Sequence, residues 1–408
     1  MPFISDPINY IADWLTTVLA GWGLSAALIA VILNLLGVVI LASFVLIVDI
    51  LLVWVERKVV ARLQDRLGPN RLGPFGLIQP VADIIKLLIK ENITPVGANK
   101  LVYNLAPILA LATVLLLWAV IPLGPQVLGS DLNVGILYIV SVGAVSTLGI
   151  IIAGWSSNNK YALLGAFRSV ATMISFEVPM VLVLLIPTIL ARTMGINSIV
   201  ESQSIWYIAV APLAALIFLI CIQAELGRAP FDLTEAESEI VAGFHIEYTG
   251  MKFGLFYAGE LLHALTFGAL FACLFLGGWR GWGAESIPLL GVGYLFLKAF
   301  IIYFVIMWVK YSMPRIRIDK MLNFAWKILT PLALALLIIT AVMSKLLENP
   351  DMPASLDGMA VIAYFVMNLV VVAVTVLILR KYARKERKRV AEPRPVAVSP
   401  EPPATEIS

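Results

Sequence analysis

Between Ala224 and Gly254 the stretch AELGRAPFDLTEAESEIVAGFHIEYTGMKFG holds Glu225, Asp232, Glu235, Glu237, Glu239 and Glu247, six of the chain's 26 acidic residues. Clustered carboxylates are suited to taking up and releasing protons, provided something shifts them out of their ordinary range. Some have structural work to do. Thr234 to Glu237 has the spacing of a helix capping box, and Asp232 would favour the same helix start. Glu235 and Glu239 then stack one turn apart. Two ionised carboxylates about 6 Å apart at an effective dielectric of about 20 repel by roughly 3 kcal/mol, so where water is scarce one of them should hold a proton.

Further ionisable groups stand inside apolar runs, where each is costly and marks an internal polar path. Glu177 sits beside Pro179, Glu260 and His263 are spaced i, i+3, Lys298 lies in mid-run, and Asp49, Glu56 and Arg57 cluster at the end of another run. A lone buried histidine is more often a packing partner, so His263 ranks below Glu177. In VERKVVARLQDRLGPNRLGPFGLIQPVADIIKLLIKEN, Arg57, Lys58, Arg62, Arg66 and Arg71 mix with Glu56 and Asp65, and the Gly68 to Pro74 cluster should stop the preceding segment. Downstream, Gln79, Asp83, Lys86 and Lys90 fall at i, i+4, i+7 and i+11, a seam about 60° wide on an otherwise apolar helix. Such a helix belongs at a membrane interface. Either it is simply structural, with Asp83 and Lys86 paired, or it caps a cavity opening to lipid. VKYSMPRIRIDKMLN offers Lys310, Arg315, Arg317, Asp319 and Lys320, either as a membrane-anchoring basic loop or as part of the same site. GVGYLF at Gly291 is half a nucleotide fingerprint inside an apolar run and is rejected.

The elements that must position these groups are membrane helices. A chain that is 61% hydrophobic and 13% charged, with mean hydropathy +0.95, lies outside the soluble range. The expected fold is an all-α polytopic membrane protein with an interfacial helix in its first cytoplasmic loop. Nine apolar runs are long enough to span: 27–54, 103–122, 133–154, 174–191, 205–223, 253–277, 288–309, 326–346 and 358–379, the fourth being the weakest. Lys and Arg favour the odd-numbered connections and the tail by 25 to three, which places the N-terminus outside and the C-terminus in the cytoplasm. The division that follows is a periplasmic segment 1–26, a core 27–346 with cytoplasmic loops 55–102, 155–173, 224–252 and 310–325, a ninth helix within 347–379, and a basic, Pro-rich disordered tail 380–408. The N-terminus has no basic residue before its first apolar run, unlike a cleaved signal. Cys221 and Cys273 are too few for a disulfide framework or a protein-held metal cluster.

Together, ERKVVARLQDRLGPNRLGPFGLIQPVADIIKLLIKE, FEVPM, AELGRAPFDLTEAESEIVAGFHIEYTGMKFGLFYAGE and PRIRIDKMLNFAWK resemble one family: the quinone-site membrane subunit, or H subunit, of proton-pumping NADH:quinone oxidoreductase, respiratory complex I. The resemblance covers about residues 30–346; the ninth helix and tail lie beyond the family's usual eight-helix core. It implies that the first, interfacial and sixth helices line a tunnel for a lipid-soluble quinone, ubiquinone or menaquinone. Glu56, Arg57, Asp65, Arg66, Arg71, Asp83 and Lys86 would line the tunnel and its mouth, with Phe231, Tyr248 and Phe253 as apolar wall. Glu177, Glu225, Asp232, Glu235, Glu237, Glu239 and Glu260 would couple quinone reduction to proton movement, and Arg228, Arg315, Arg317 and Asp319 belong to the same loops. On this reading the chain binds no metal or cofactor alone. Quinone is the substrate, FMN and iron–sulfur clusters sit in partner subunits of the peripheral arm, other membrane-arm subunits adjoin, no nucleic acid is bound, and the location is a bacterial inner membrane. Two other readings stand: the connector subunit of a related membrane-bound hydrogenase or formate-oxidising complex, and a free-standing proton or cation transporter using Glu177, Glu260 and Lys298.

Overall fold

A computed structural model describes residues 7–125, 127–232, 243–347 and 358–391. In chain order the helices are α1 (Pro7–Gly21), α2 (Ala26–Leu63), α3 (Gln79–Ile89), α4 (Lys100–Trp118), α5 (Gly135–Ser156), α6 (Lys160–Ala191), α7 (Ile196–Ser202), α8 (Tyr207–Val210), α9 (Pro212–Glu225), α10 (Gly250–Phe275), α11 (Pro288–Ser312), α12 (Ile318–Phe324), α13 (Thr330–Leu346) and α14 (Gly358–Ala391). No strand occurs among the described residues. Eight helical stretches are long and apolar enough to cross a membrane: α2, α4, α5, α6, α10, α11, the continuous Ile318–Leu346 and the first 21 residues of α14. The protein is a multi-pass, all-helical membrane protein.

The fifth expected span is different. Pro212 disfavours a helical residue before it, Ala211 takes φ −131, ψ 61, and the run 205–223 divides into the single turn α8 and the 14-residue α9. At 1.5 Å per residue α9 covers about 21 Å, short of a 30 Å hydrocarbon core. It is tolerated because it is enclosed by protein, packing against α6 and α10. The fourth run, weakest in sequence, belongs to the 32-residue α6, which continues through Pro179 and Pro187. Helix α1 is an amphipathic 15-residue helix within the segment expected to precede the first span. Of the tail, residues up to Ala391 continue α14 as helix, and residues from 392 lie outside the described part.

Helix α2 does not stop at the Gly68 to Pro74 cluster but at Asp65, which adopts φ 52. The amide of Arg66 donates to the Ala61 carbonyl at 2.8 Å and that of Asp65 to the Arg62 carbonyl at 3.3 Å, the bonding of a Schellman stop with aspartate in the left-handed position. Beyond it the turn folds tightly on itself. A Cβ on Gly76 would lie 2.3 Å from the Pro69 carbonyl, and Trp54 Nε1 donates to the Phe75 carbonyl at 3.2 Å, tying the turn to α2.

The hub of the bundle is α10, buried on nearly every side and packed against α2, α3, α4, α9 and α11. Small residues permit this closeness. A Cβ at Gly250 would sit 3.3 Å from the Lys90 carbonyl, and one at Gly254 would sit 3.0 Å from Leu87 Cδ1, so these two glycines let α3 lie across the start of α10.

Candidate functional site

On the charged seam of α3, Gln79 and Asp83 are half-buried, while Lys86 and Lys90 are exposed. Asp83 pairs with Arg57 of α2 and accepts from Lys86 Nζ at 3.2 Å, while Ile78, Val81, Ile85, Leu88 and Ile89 stand exposed on the outer side. The intrahelical pair of the structural reading is therefore present, joined by a link to α2. Burial alone would raise the Asp83 carboxyl, but hydrogen bonds and charge from Arg57 and Lys86 outweigh it and hold the group below its ordinary range.

Helix α2 buries only one stripe, and Asp49 and Glu56 lie on it, seven residues apart with Leu52 between. Glu56 Oε1 accepts from Lys310 Nζ at 3.0 Å and from the Tyr311 hydroxyl at 2.6 Å, both from the end of α11. Its Oε2, like Asp49 Oδ1, is buried with no hydrogen-bond partner.

The segment ELGRAP then carries a cation inward. Helix α9 ends in a second Schellman stop, with Gly227 at φ 59 and the amides of Gly227 and Arg228 donating to the Ala224 and Gln223 carbonyls at 3.0 and 3.2 Å. Arg228 follows immediately and is 1% exposed. Its Nε donates to Glu260 Oε1 of α10 at 3.2 Å, and both Nη atoms and the nearby Tyr303 hydroxyl are buried without partners. Glu56 interacts electrostatically with the same guanidinium.

Two internal cavities adjoin this cluster. One of about 90 Å³ is lined by Glu225, His245, Phe253, Tyr257, Glu260 and His263 among others. A second, of about 20 Å³, is lined by Glu177, Phe218, Glu225, His263 and apolar neighbours. The first has room for several waters and the second for one. Glu225 and His263 line both, so they form the wall between them. His245, in a 3-10 turn before α10, is held below its ordinary imidazole range by burial, which Glu260 partly opposes; it is neutral at neutral pH.

Of the sequence candidates, Glu56, Arg57, Asp83, Lys86, Glu177, Glu225, Arg228, Phe253 and Glu260 gather around α2, α3, α6, α9 and α10. Asp65, Arg66 and Arg71 are exposed on the turn after α2, Arg66 bonding Gln64 at 2.7 Å. Phe231 lies in the main core against Phe176 and Phe324. Tyr248 stacks on Tyr103 at 4.2 Å, with its hydroxyl 3.3 Å from that of Ser156, and burial pushes its phenol up to about 12. Asp232 accepts from Arg315 at 2.8 Å, linking the acidic stretch to the last loop. Arg317 and Asp319 are exposed at the start of α12, where Asp319 suits the positive helix end. Glu247 accepts from Asn159 at 2.6 Å and, with it, lines a separate open pocket of about 430 Å³ rather than either of these cavities. Glu235, Glu237 and Glu239, with the proposed capping box, lie outside the described residues. Lys298 donates to the carbonyls of Leu276, Gly278 and Arg280, each at 2.8 Å, which accounts for it structurally.

Sequence reading missed Tyr257, Tyr303, Tyr311 and His245. Tyrosines near span ends are absorbed by the aromatic-belt expectation; for His245 a signal existed, since the chain has only two histidines.

A polytopic membrane protein with a charged, partly hollow interior is the class these features define. A family model described as NADH dehydrogenase matches residues 36–341, and the chain belongs to that family. It is 49% identical over 315 residues to the NADH-quinone oxidoreductase H subunit of Dehalococcoides mccartyi, covering 77% of this chain and 87% of that protein. To the H 2 subunit of the same enzyme from Geobacter sulfurreducens it is 46% identical over 300 residues, covering 71% and 89%. To the H subunit from Geobacillus kaustophilus it is 44% identical over 328 residues, covering 79% and 93%.

Proposed function

We propose that this chain is the membrane subunit of an NADH:quinone oxidoreductase that forms the access path for quinone and couples its reduction to proton translocation. Membership of the NADH dehydrogenase family supports the enzyme complex, and the relatives' names supply the quinone. The observation that carries the coupling role is the wall formed by Glu225 and His263 between two cavities, one lined by Glu260, which Arg228 partners from outside the lining, the other by Glu177. Helices α2, α3 and α10 form the apolar approach, with Arg57, Asp83 and Lys86 at its mouth and exposed aliphatic side chains of α3 facing lipid. Two-electron reduction of a quinone takes up two protons or leaves negative charge, and under-bonded carboxylates beside a buried guanidinium respond to either. Electrons come from partner subunits of the peripheral arm, which would carry FMN and iron–sulfur clusters, and the basic connections lie in the cytoplasm of a bacterial cell.

Glu225→Gln in the assembled complex is the test. Quinone-linked NADH oxidation should fall by about 10-fold or more, while oxidation with a hydrophilic artificial acceptor and the amount of complex stay unchanged. A wild-type quinone-linked rate in this variant would remove Glu225 from the path.

A further inference from the structure

Helix α14 lies beyond the family match, which ends at residue 341. Its spanning part, residues 358–378, is almost wholly apolar, and Asn368 is its one amide side chain. An amide in a membrane helix is costly unless a partner is waiting. Asn368 is 1% exposed, and Nδ2 donates to the carbonyl of Val210 at 3.0 Å and to that of Tyr364, one turn back, at 2.9 Å.

Val210 is the last residue of α8, next to the break at Ala211. In an unbroken helix its carbonyl would accept from the amide of Ala214. Pro212 turns the chain out of helical geometry, so that bond is lost where Val210 and Ala211 are buried in protein, and such breaks persist only where a neighbouring helix satisfies the freed groups. The rest of α14 fits the same place. Val361, Tyr364, Met367, Asn368 and Val371 face the core, whereas Ile362, Phe365, Val366, Leu369 and Val370 are exposed, an inward stripe with helical spacing. Helix α14 packs against α8, α9 and α13.

We propose that the ninth helix is a clamp for the broken fifth span: Asn368 supplies the hydrogen bond that Pro212 takes away from Val210, and so fixes the start of α9, whose other end carries Glu225. The amide's orientation is set by its two carbonyl partners, since a flipped amide would point its oxygen at both; Oδ1 is buried without a hydrogen-bond partner, so the amide's contribution is its two donated bonds. This docking rests on geometry alone and stands whether or not the quinone function does.

The test is a cycle on the full-length chain in detergent-solubilised membranes, read as the fraction remaining soluble and monodisperse after heating. Asn368→Leu should lower the half-loss temperature by about 3–6 °C. Pro212→Ala lets α8 and α9 join and returns an intrahelical donor to Val210, so it should be near neutral alone and should abolish most of the Asn368→Leu defect in the double variant. A role in packing alone gives a defect that Pro212→Ala does not relieve. That result would overturn the proposal, as would Asn368→Leu with unchanged heat resistance. If Asn368→Leu alone fails to accumulate, recovery of the double variant supports the clamp, and continued absence counts against it.

Discussion

The two ends of α10 are both rich in polar groups, and they resolve them in opposite ways. Past its C-terminus, Lys298 meets three backbone carbonyls, Arg280 donates to the carbonyls of Glu201 and Gln203 at 2.9 and 2.7 Å, Gln203 donates to Cys273 at 2.7 Å and Trp279 to Asn197 at 3.3 Å. Cations gathered on the last carbonyls of a helix also suit its dipole. Toward the N-terminus the partners are carboxylates, and atoms of Asp49, Glu56, Glu225, Arg228 and Tyr303 remain buried without hydrogen bonds, whereas at the other end the neutral Gln203 Oε1 is the atom of the latch left so. Backbone acceptors cannot change protonation; carboxylates can. The first arrangement is a fixed latch, and the second holds groups whose charge can change.

The sharpest way to break this contrast is Arg228→Met. It leaves Glu260 without its cation and removes the charge felt by Glu56, so removing one member of a buried pair should cost about 3–5 kcal/mol and reduce quinone-linked turnover by about 100-fold. Assay of turnover per assembled complex separates the two effects. Lys298→Met attacks the latch instead. Loss of three charge-assisted hydrogen bonds should destabilise the chain by about 2–4 kcal/mol, lowering the amount of complex, yet turnover per complex should be unchanged; a fall in turnover would show that the latch is not merely structural.

Asp83→Asn should have the smallest effect, below about 1 kcal/mol, because the pair with Arg57 is partly exposed. Its sign with pH is definite. The folded-state carboxyl lies below its unfolded value, so the contribution of this pair is complete above about pH 4 and is lost only as pH falls through the lowered value. Protease protection of the loop around α3 should therefore be flat from neutral to mildly acidic pH. A loss of protection near pH 6 would point to another group.

Much of this was legible from residue spacing. The seam on α3 is written at i, i+4 and i+7, and a charged residue inside an apolar run announces itself, which is why Glu177, Glu260 and Asp49 could be named, while Glu225 stood out in the acidic stretch. Elsewhere local signals were outweighed. Averaged hydropathy hid the break that Pro212 makes, because α8 and α9 are both apolar. Asp65 has the look of a tunnel charge, although a short polar side chain in the left-handed conformation is also a helix stop. Lys298 looked like part of an ion path, since nothing in sequence shows that three carbonyls of the turn after α10 converge on it. The tyrosines around Glu56 and Arg228 come from two different helices, and no one-dimensional pattern brings them together.

The latch gives α10 a mechanical character. Its 26 residues form a rod about 39 Å long, pivoted where Lys298 grips the far end and resting at the near end on α3. With the pivot fixed, a tilt of about one degree sweeps the near end by about 0.7 Å, which is comparable with the difference between a made and a broken hydrogen bond. Glu260 and His263 ride on that rod, so any tilt of α10 would move both at once, in the same direction and in proportion to their distance from the far end.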